Sequence, residues 1–348
     1  MAPTCSSTCP GSTDTMPARK SAHMLPRANA ARCAALGLAV ALCGLAAEAT
    51  ARYADPTKQV HPVSVIDDQN RTIFLPRPAR RAITLSPHAT ELVYAAGAGT
   101  HLAGTVDSSN YPADAQTLPR IGDGLHPDPE RIVALQPDLL IAWLPAQAES
   151  LARPLAQLGT PLFYSNPAGL DSLPNAIVTL GRLFGTEETA TRNATALQQR
   201  LDTLRSRYRD ARPVRVFILV GSEPLYTLNG AHIISQAVEL CGGINIFSTA
   251  PAAAPQVSPE AVLRAQPDIV LMSTQGLAAL HGSRDIPSRH SDATTTLYGG
   301  QVMALDADLL YRPGPRLVDA AEQICQRLEN IRANEQQQAG TRHLQPAP

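Results

Sequence analysis

Beyond residue 60 the chain alternates short apolar runs with polar punctuation. Residues 63–66 and 71–75 flank Asp67-Asp68-Gln69-Asn70, the pattern of two strands around a polar turn. A third apolar run, 82–85, ends in Ser86-Pro87-His88 and leads into helical spacing over 90–96, closed by Gly97. Further strands are predicted over 102–106, 161–164, 214–220 and 301–305. Helices are predicted near 149–158, 173–184, 232–240 and 277–280, and from Gly314-Pro315 to about Ile331. Short strands alternating with helices predict an α/β fold with mostly parallel sheets.

One segment breaks this rhythm. Ala190, Ala194, Leu197, Leu201, Leu204 and Tyr208 recur at three- and four-residue steps, which puts one apolar stripe along a single long helix. A coiled-coil partner helix is the rival reading, but the polar faces carry no sustained heptad. On either side of this helix, two stretches nearly repeat each other. Residues 127–143 read PDPERIVALQPDLLIAW and residues 257–273 read VSPEAVLRAQPDIVLMS. They share Pro129/Pro259, Glu130/Glu260, Gln136/Gln266, Pro137/Pro267 and Asp138/Asp268. Each opens with an N-cap residue (Asp128 or Ser258), a proline at the first helical position and a glutamate at the second. Each then turns at Gln-Pro-Asp into an apolar strand. A helix–strand unit repeated so far apart predicts two Rossmann-like α/β lobes, 52–185 and 212–333, on a single connecting helix, 186–211, with a cleft between them. Residues 334–348, polar and ending in two prolines, are expected to be a disordered tail.

The first 51 residues belong to a different class of segment. Arg19, Lys20, Arg27 and Arg32 precede an apolar stretch over 34–47, and Ala49-Thr50-Ala51 follow as small residues. That is the pattern of a secretory signal peptide, with Met24 as an alternative start. The apolar stretch falls short of the roughly 20 residues that span a bilayer. Cys43 follows Leu42, not a small residue, which argues against a lipid anchor. The mature protein is expected in the periplasm. Of six cysteines, only Cys241 and Cys325 lie beyond this segment. In an exported chain an even pair favours a disulfide, two inert buried thiols being the alternative.

Charge and motifs then narrow the function. A formal net charge of −1 gives no electrostatic reason to expect nucleic acid as a partner. The mature chain has no nucleophile elbow, no Walker loop, no zinc-protease motif and no Cys-x-x-Cys. Two lobes without a catalytic set point to capture of a small molecule, with no catalytic residue, metal or cofactor assigned. Ligands in open α/β sheets sit at the carboxyl ends of strands, here Ser86-Pro87-His88, 107–111, Trp143, 221–226 and 306–312. His88 and His126, expected on cleft-facing loops, are either solvent-facing or available to an iron centre such as haem. The remote hydrolase alternative would have to use Ser86, His88 and Asp306.

Four motifs carry a family resemblance. Leu85-Ser-Pro-x-x-Thr-Glu91, Glu130-Arg-Ile-Val-Ala-Leu-x-Pro-Asp138 with Ile141-Ala-Trp143, Cys241-Gly-Gly-x-Asn-Ile-Phe247 and Pro255-Gln-Val-Ser258 resemble, in order, the periplasmic cobalamin (vitamin B12)-binding proteins of ABC importers. The resemblance covers nearly the whole mature chain. It implies a monomeric binding protein that captures cobalamin or a related corrinoid and delivers it to an ABC permease in the inner membrane. It implies a Cys241–Cys325 disulfide, and permease docking through Glu130 and Glu260. It implies a ligand cup that includes Trp143 and Tyr226, with Gly124 and Ala254 where relatives can present tryptophan and Tyr111 as partial compensation. Ser86, Pro87, His88, Tyr311 and Arg312 complete the expected site, Arg312 beside a ligand amide, phosphate or propionate or else in a structural salt bridge. Haem or an iron-siderophore is the alternative ligand on the same scaffold.

Overall fold

The computed structural model describes residues 61–149, 151, 156, 159–282 and 296–343. The expected signal segment, and most of the helix expected over 149–158, lie outside the described residues. Strands β1 (Val63–Ile66) and β2 (Thr72–Leu75) pair antiparallel. The Asp67 carboxylate sets their turn by accepting the N–H groups of Gln69 at 3.0 Å and Arg71 at 2.9 Å.

The first lobe follows as β3 (Ala82–Thr84), α1 (Pro87–Ala95), β4 (Leu102–Thr105), α2 (Pro129–Ala134), β5 (Leu139–Ala142), α3 (Pro145–Glu149) and β6 (Leu162–Tyr164). Its sheet has the order β4-β3-β5-β6, parallel throughout. Helices cover both faces, so β5 reads LLIA, without alternation, and is buried at every position. Helix α1 begins three residues earlier than its apolar spacing suggests, because Pro87 supplies the preset φ of a first helical residue.

Helices α4 (Ser172–Phe184) and α5 (Glu187–Tyr208) lead to the second lobe. That lobe comprises β7 (Val214–Ile218), β8 (Gly221–Ser222), β9 (Leu225–Tyr226), α6 (Ile233–Leu240), β10 (Gly243–Asn245), α7 (Pro259–Ala265), β11 (Ile269–Ser273), α8 (Thr274–Gly282), β12 (Thr296–Leu297), β13 (Gly300–Leu305), α9 (Ala307–Leu310) and α10 (Leu317–His343). Its sheet order is β10-β7-β11-β13-β12, with only the edge strand β12 antiparallel. Without β12, both lobes order their strands second, first, third, fourth.

The repeat extends to individual hydrogen bonds. Asp128 accepts the N–H groups of Glu130 and Arg131, and Ser258 accepts that of Ala261. Gln136 and Gln266 both take left-handed backbone, with φ of 46° and 45°. Asp138 then receives the N–H groups of Arg80 and Arg81, and Asp268 that of Arg215. The Arg81 guanidinium donates to the Leu135 carbonyl at 2.7 Å, and that of Arg215 to Ala265 at 2.6 Å. A cation at each helix C-terminus satisfies carbonyls that have no partner within the helix.

Helix α5 is fastened to both lobes. Thr186 and Asn193 donate to the Ala96 and Ala95 carbonyls at the end of α1. Further along, Arg200 reaches Asp319 at 2.6 Å and Glu322 at 2.8 Å, and Arg207 reaches Glu329 at 2.8 Å. Ala190, Ala194, Leu197, Leu201 and Tyr208 are buried. They belong to one apolar cluster running from α1 through α4 and α5 to α6 and α10. This shared core opposes rotation of one lobe against the other.

Cys241, after α6, and Cys325, within α10, form a disulfide with an S–S distance of 2.07 Å. This resolves the choice between a bridge and two thiols. The unstructured tail expected from Asn334 is corrected as far as His343, because α10 continues to that residue. Glu335, Gln336, Gln337 and Ala339 are good helix formers, and no proline intervenes before Pro346. Among the described residues no helix is long and apolar enough to cross a membrane.

Candidate functional site

Between the lobes lies a cavity of about 340 Å³. The first lobe contributes Trp143, from the loop after β5, and Asn166, Pro167 and Ala168, from the loop after β6. The second lobe contributes mainly apolar groups, Val220, Leu228, Ile233 and Ile234 among them, with His232, Tyr311 and Pro313. An apolar cavity with a few polar groups at its rim is the usual form of a small-molecule site.

The Trp143 ring is held from several sides. Its Nε1–H donates to Asn166 Oδ1 at 3.0 Å. The Asn166 N–H in turn donates to Asp68 Oδ2 at 2.6 Å, in the turn between β1 and β2. The His88 ring stands edge-on to the indole, with centroids 5.5 Å apart at 85°. The backbone N–H groups of Trp143 and Leu144 both donate to Gln147 Oε1.

His232 caps α6, its Nδ1 accepting the Ile234 N–H at 3.2 Å. That bond fixes the proton on Nε2 in the neutral ring, so His232 brings one donor to a mainly apolar cavity. Burial lowers its basicity further. Tyr311, whose hydroxyl lies 3.4 Å from the Leu219 carbonyl, has its ionisation pushed up by burial.

The expected site residues therefore separate into groups. Trp143 and Tyr311 line the cavity. Tyr226 is exposed on the β8–β9 hairpin, bridged to Gln256. Ser86 and His88, by contrast, are both buried, each 2% exposed. The chain enters α1 at Pro87, which carries His88 behind Trp143, where its Nε2 lies 3.1 Å from the Ser165 carbonyl. Burial, aided by the charge of Arg312 and opposed by that carbonyl, pushes the His88 imidazole down to about 4.

Arg312 and Tyr111 belong to a clasp between the lobes. Arg312 donates to Glu91 at 3.2 Å, to Asn110 Oδ1 at 2.8 Å and to the Ser108 carbonyl at 3.1 Å, and it pairs with Asp308 at 2.6 Å. Arg316 grips the same Glu91 carboxylate with bonds of 3.0 and 2.6 Å. Its guanidinium lies over the Tyr111 ring, 4.1 Å from the centroid. Of the two readings of Arg312, the salt bridge is the one realised.

His88, His126 and Asp306, expected for an iron or hydrolytic centre, are engaged with other partners. His126 is exposed and paired with Asp123 at 3.2 Å. Asp306 caps α9 by accepting the Asp308 N–H, and so does not orient His88 toward Ser86. Among the described residues no group of three or more His, Cys, Asp or Glu converges on a metal position.

Sequence reasoning missed Gln147, His232, Asn166 and Glu91. Only Gln147 left a local signal, as the third residue of a helix opened by Pro145, where Gln commonly reaches back to backbone N–H groups. Gly124 borders this arrangement, since a Cβ there would lie 3.2 Å from the Leu85 carbonyl and 3.8 Å from Gln147 Nε2. Ala254 is on an exposed loop.

Comparison with known proteins agrees with this architecture. Residues 83–307 match the periplasmic binding protein family. The vitamin B12-binding protein of Vibrio cholerae is 38% identical over 250 residues, covering 72% of this chain and 89% of that protein. That of Yersinia pestis is 36% identical over 253 residues, covering 73% and 88%. Among solved structures, the periplasmic vitamin B12-binding protein of Vibrio cholerae superposes with a TM-score of 0.61 at 37% identity, over 73% of this chain and 98% of that one. The periplasmic haem-binding protein of Roseiflexus sp. RS-1 superposes with a TM-score of 0.62 at 26% identity, over 73% and 99%.

Proposed function

Because the chain belongs to the periplasmic binding protein family, we propose that it captures cobalamin or a related corrinoid between its lobes and hands it to an ABC permease. It is a binding protein and not an enzyme. The observation that carries the ligand reading is the apolar interlobe cavity with the fixed indole of Trp143 in its wall. The face of a corrin ring gains dispersion and burial against such an indole. At about 340 Å³ the cavity is near the small end of the range for ligand sites, so it seats one edge of a corrinoid while the remainder occupies the open cleft.

Glu130 and Glu260 are the docking carboxylates in this reading. Both are exposed at repeat-equivalent positions, each one turn before an exposed apolar residue, Val133 or Leu263. A carboxylate on each lobe suits a permease presenting a cation on each of its halves. Export through residues 1–51 and action in the periplasm as a monomer complete the proposal.

Haem is the competing ligand, favoured by the likeness to the haem-binding protein. Against it stands His88, buried and turned to the Ser165 carbonyl. Calorimetric titration of the purified protein with cyanocobalamin, cobinamide and haem tests the choice. Submicromolar corrinoid binding with weak haem binding is expected. Tight haem binding with no corrinoid binding would overturn the reading.

A further inference from the structure

We propose that Gln147 is a positioning residue for the ligand site, a single side-chain amide that locks three cleft loops together and thereby fixes where Trp143 stands. The proposal rests on the corrinoid reading for its functional meaning, and its structural content is testable without ligand. Gln147 is 2% exposed. Its Oε1 accepts the N–H groups of Trp143 at 2.8 Å and Leu144 at 2.9 Å. Its Nε2 donates to the Leu85 carbonyl at 3.0 Å and to the Gly124 carbonyl. These partners lie on the loop after β3, the loop before α2 and the loop after β5.

The chemistry is specific to a carboxamide. Two acceptor bonds and two donor bonds require an oxygen and an NH₂ on one planar group, and the partners dictate which end is which. A carboxylate would keep both N–H groups and face two carbonyls with no proton to offer. A hydrocarbon would leave buried donors and acceptors unpaired. The two bonds to Trp143 and Leu144 are what a third-position glutamine does for its own helix. The two bonds to Leu85 and Gly124 serve no helix, and they tie separate segments of the cleft wall. A wall ordered before the ligand arrives does not have to be ordered by it, which leaves more of the contact free energy for affinity.

Trp143 is the single tryptophan of the chain, so its emission reads the loop directly. Gln147→Glu and Gln147→Met are compared with Val270→Ala, a core change in β11 away from the cavity. In ligand-free protein, both Gln147 variants are expected to show faster acrylamide quenching and lower anisotropy of Trp143. Cyanocobalamin binding should weaken about tenfold, the scale of re-ordering a loop on binding. Val270→Ala should lower the melting temperature and leave both readouts unchanged. Should Gln147→Met not fold, Gln147→Glu decides alone, because it keeps the acceptor bonds and loses only the donors. Unaltered Trp143 quenching in a folded Gln147 variant, or the same change in Val270→Ala, overturns the proposal. Absence of cyanocobalamin binding by the wild-type protein would sink the corrinoid reading, while the ligand-free fluorescence still decides the role of Gln147.

Discussion

Glu91 is the residue whose removal should cost this fold most for the smallest change in shape. Its side chain is 2% exposed, and those of Arg312 and Arg316 are 10% and 16% exposed. The carboxylate comes from α1 of the first lobe and both guanidinium groups from the segment before α10 of the second. In Glu91→Gln the volume is kept and the charge lost, so two partly buried cations face a neutral amide. Breaking a buried pair by removing one partner costs about 3–5 kcal/mol. Arg312 retains Asp308 and Asn110, and Arg316 retains the Tyr111 ring, so the lower end, about 3 kcal/mol, is expected. Urea denaturation at pH 7 gives the number. Adding Arg316→Met to Glu91→Leu should recover part of the loss, since a pair replaced by packed apolar groups leaves no stranded charge between them. A loss below about 1 kcal/mol for Glu91→Gln, the worth of an exposed pair, would refute the clasp as an energetic link between the lobes.

Further expectations concern the bridge, pH, docking and the cup. The disulfide joins residues 84 apart, for which loop-closure entropy gives about 4.5 kcal/mol, so Cys241→Ala with Cys325→Ala should unfold at markedly lower urea than wild type; equal midpoints would remove the bridge from the stability account. His88 stays neutral in the folded protein down to about 4, whereas in the unfolded chain it takes up a proton as pH falls through its ordinary 6.5. Stability should therefore fall by up to about 3 kcal/mol between those two values and flatten below them, a slope absent from His88→Gln. Charge reversal at Glu130 and Glu260 together should abolish corrinoid uptake by cells and leave ligand affinity unchanged; a matching loss of affinity would assign the pair to binding or folding instead. Ala254→Trp, on an exposed loop, should tighten cyanocobalamin binding by about 1 kcal/mol if that loop faces the macrocycle, and calorimetry with no change would place the loop outside the cup.

How much of this could be read from the chain depends on how local the chemistry is. The α5 stripe from Ala190 to Tyr208 was visible because one helix face repeats every three or four residues and is buried along its length. The duplicated unit was visible because caps, prolines and the Gln-Pro-Asp turn act within a few residues of one another. The short strands β8, β9, β10 and β12 offered too few residues for any period. The site was less legible because its side chains act across long separations. Ser86, His88 and Trp143 all follow strand ends, and nothing local says that the first two are buried, with the His88 ring against the third. Arg312 could be assigned to a ligand or to a salt bridge, and its partner Glu91 is 221 residues distant. Gln147 meets Leu85 and Gly124 at separations of 62 and 23 residues, through carbonyls that every residue possesses.

This contrast says where the two halves of the molecule have been free to differ. The α2–β5 and α7–β11 units each keep a side-chain N-cap, a left-handed glutamine and an arginine on the final helical carbonyl. They are equivalent surfaces, suited to a partner that is itself two-fold. The cavity has no such symmetry. Its first-lobe wall is the Trp143 indole, whose Nε1–H donates to Asn166 and whose backbone N–H donates to Gln147, with Asn166, Pro167 and Ala168 beside it, and its second-lobe wall is mainly aliphatic side chains around α6. In the proposed reading, a duplicated scaffold thus offers matched ends for a permease and unlike faces for the ligand. Reversing one docking glutamate should therefore weaken delivery whichever lobe carries it, whereas changes in the cavity should act very differently on the two sides.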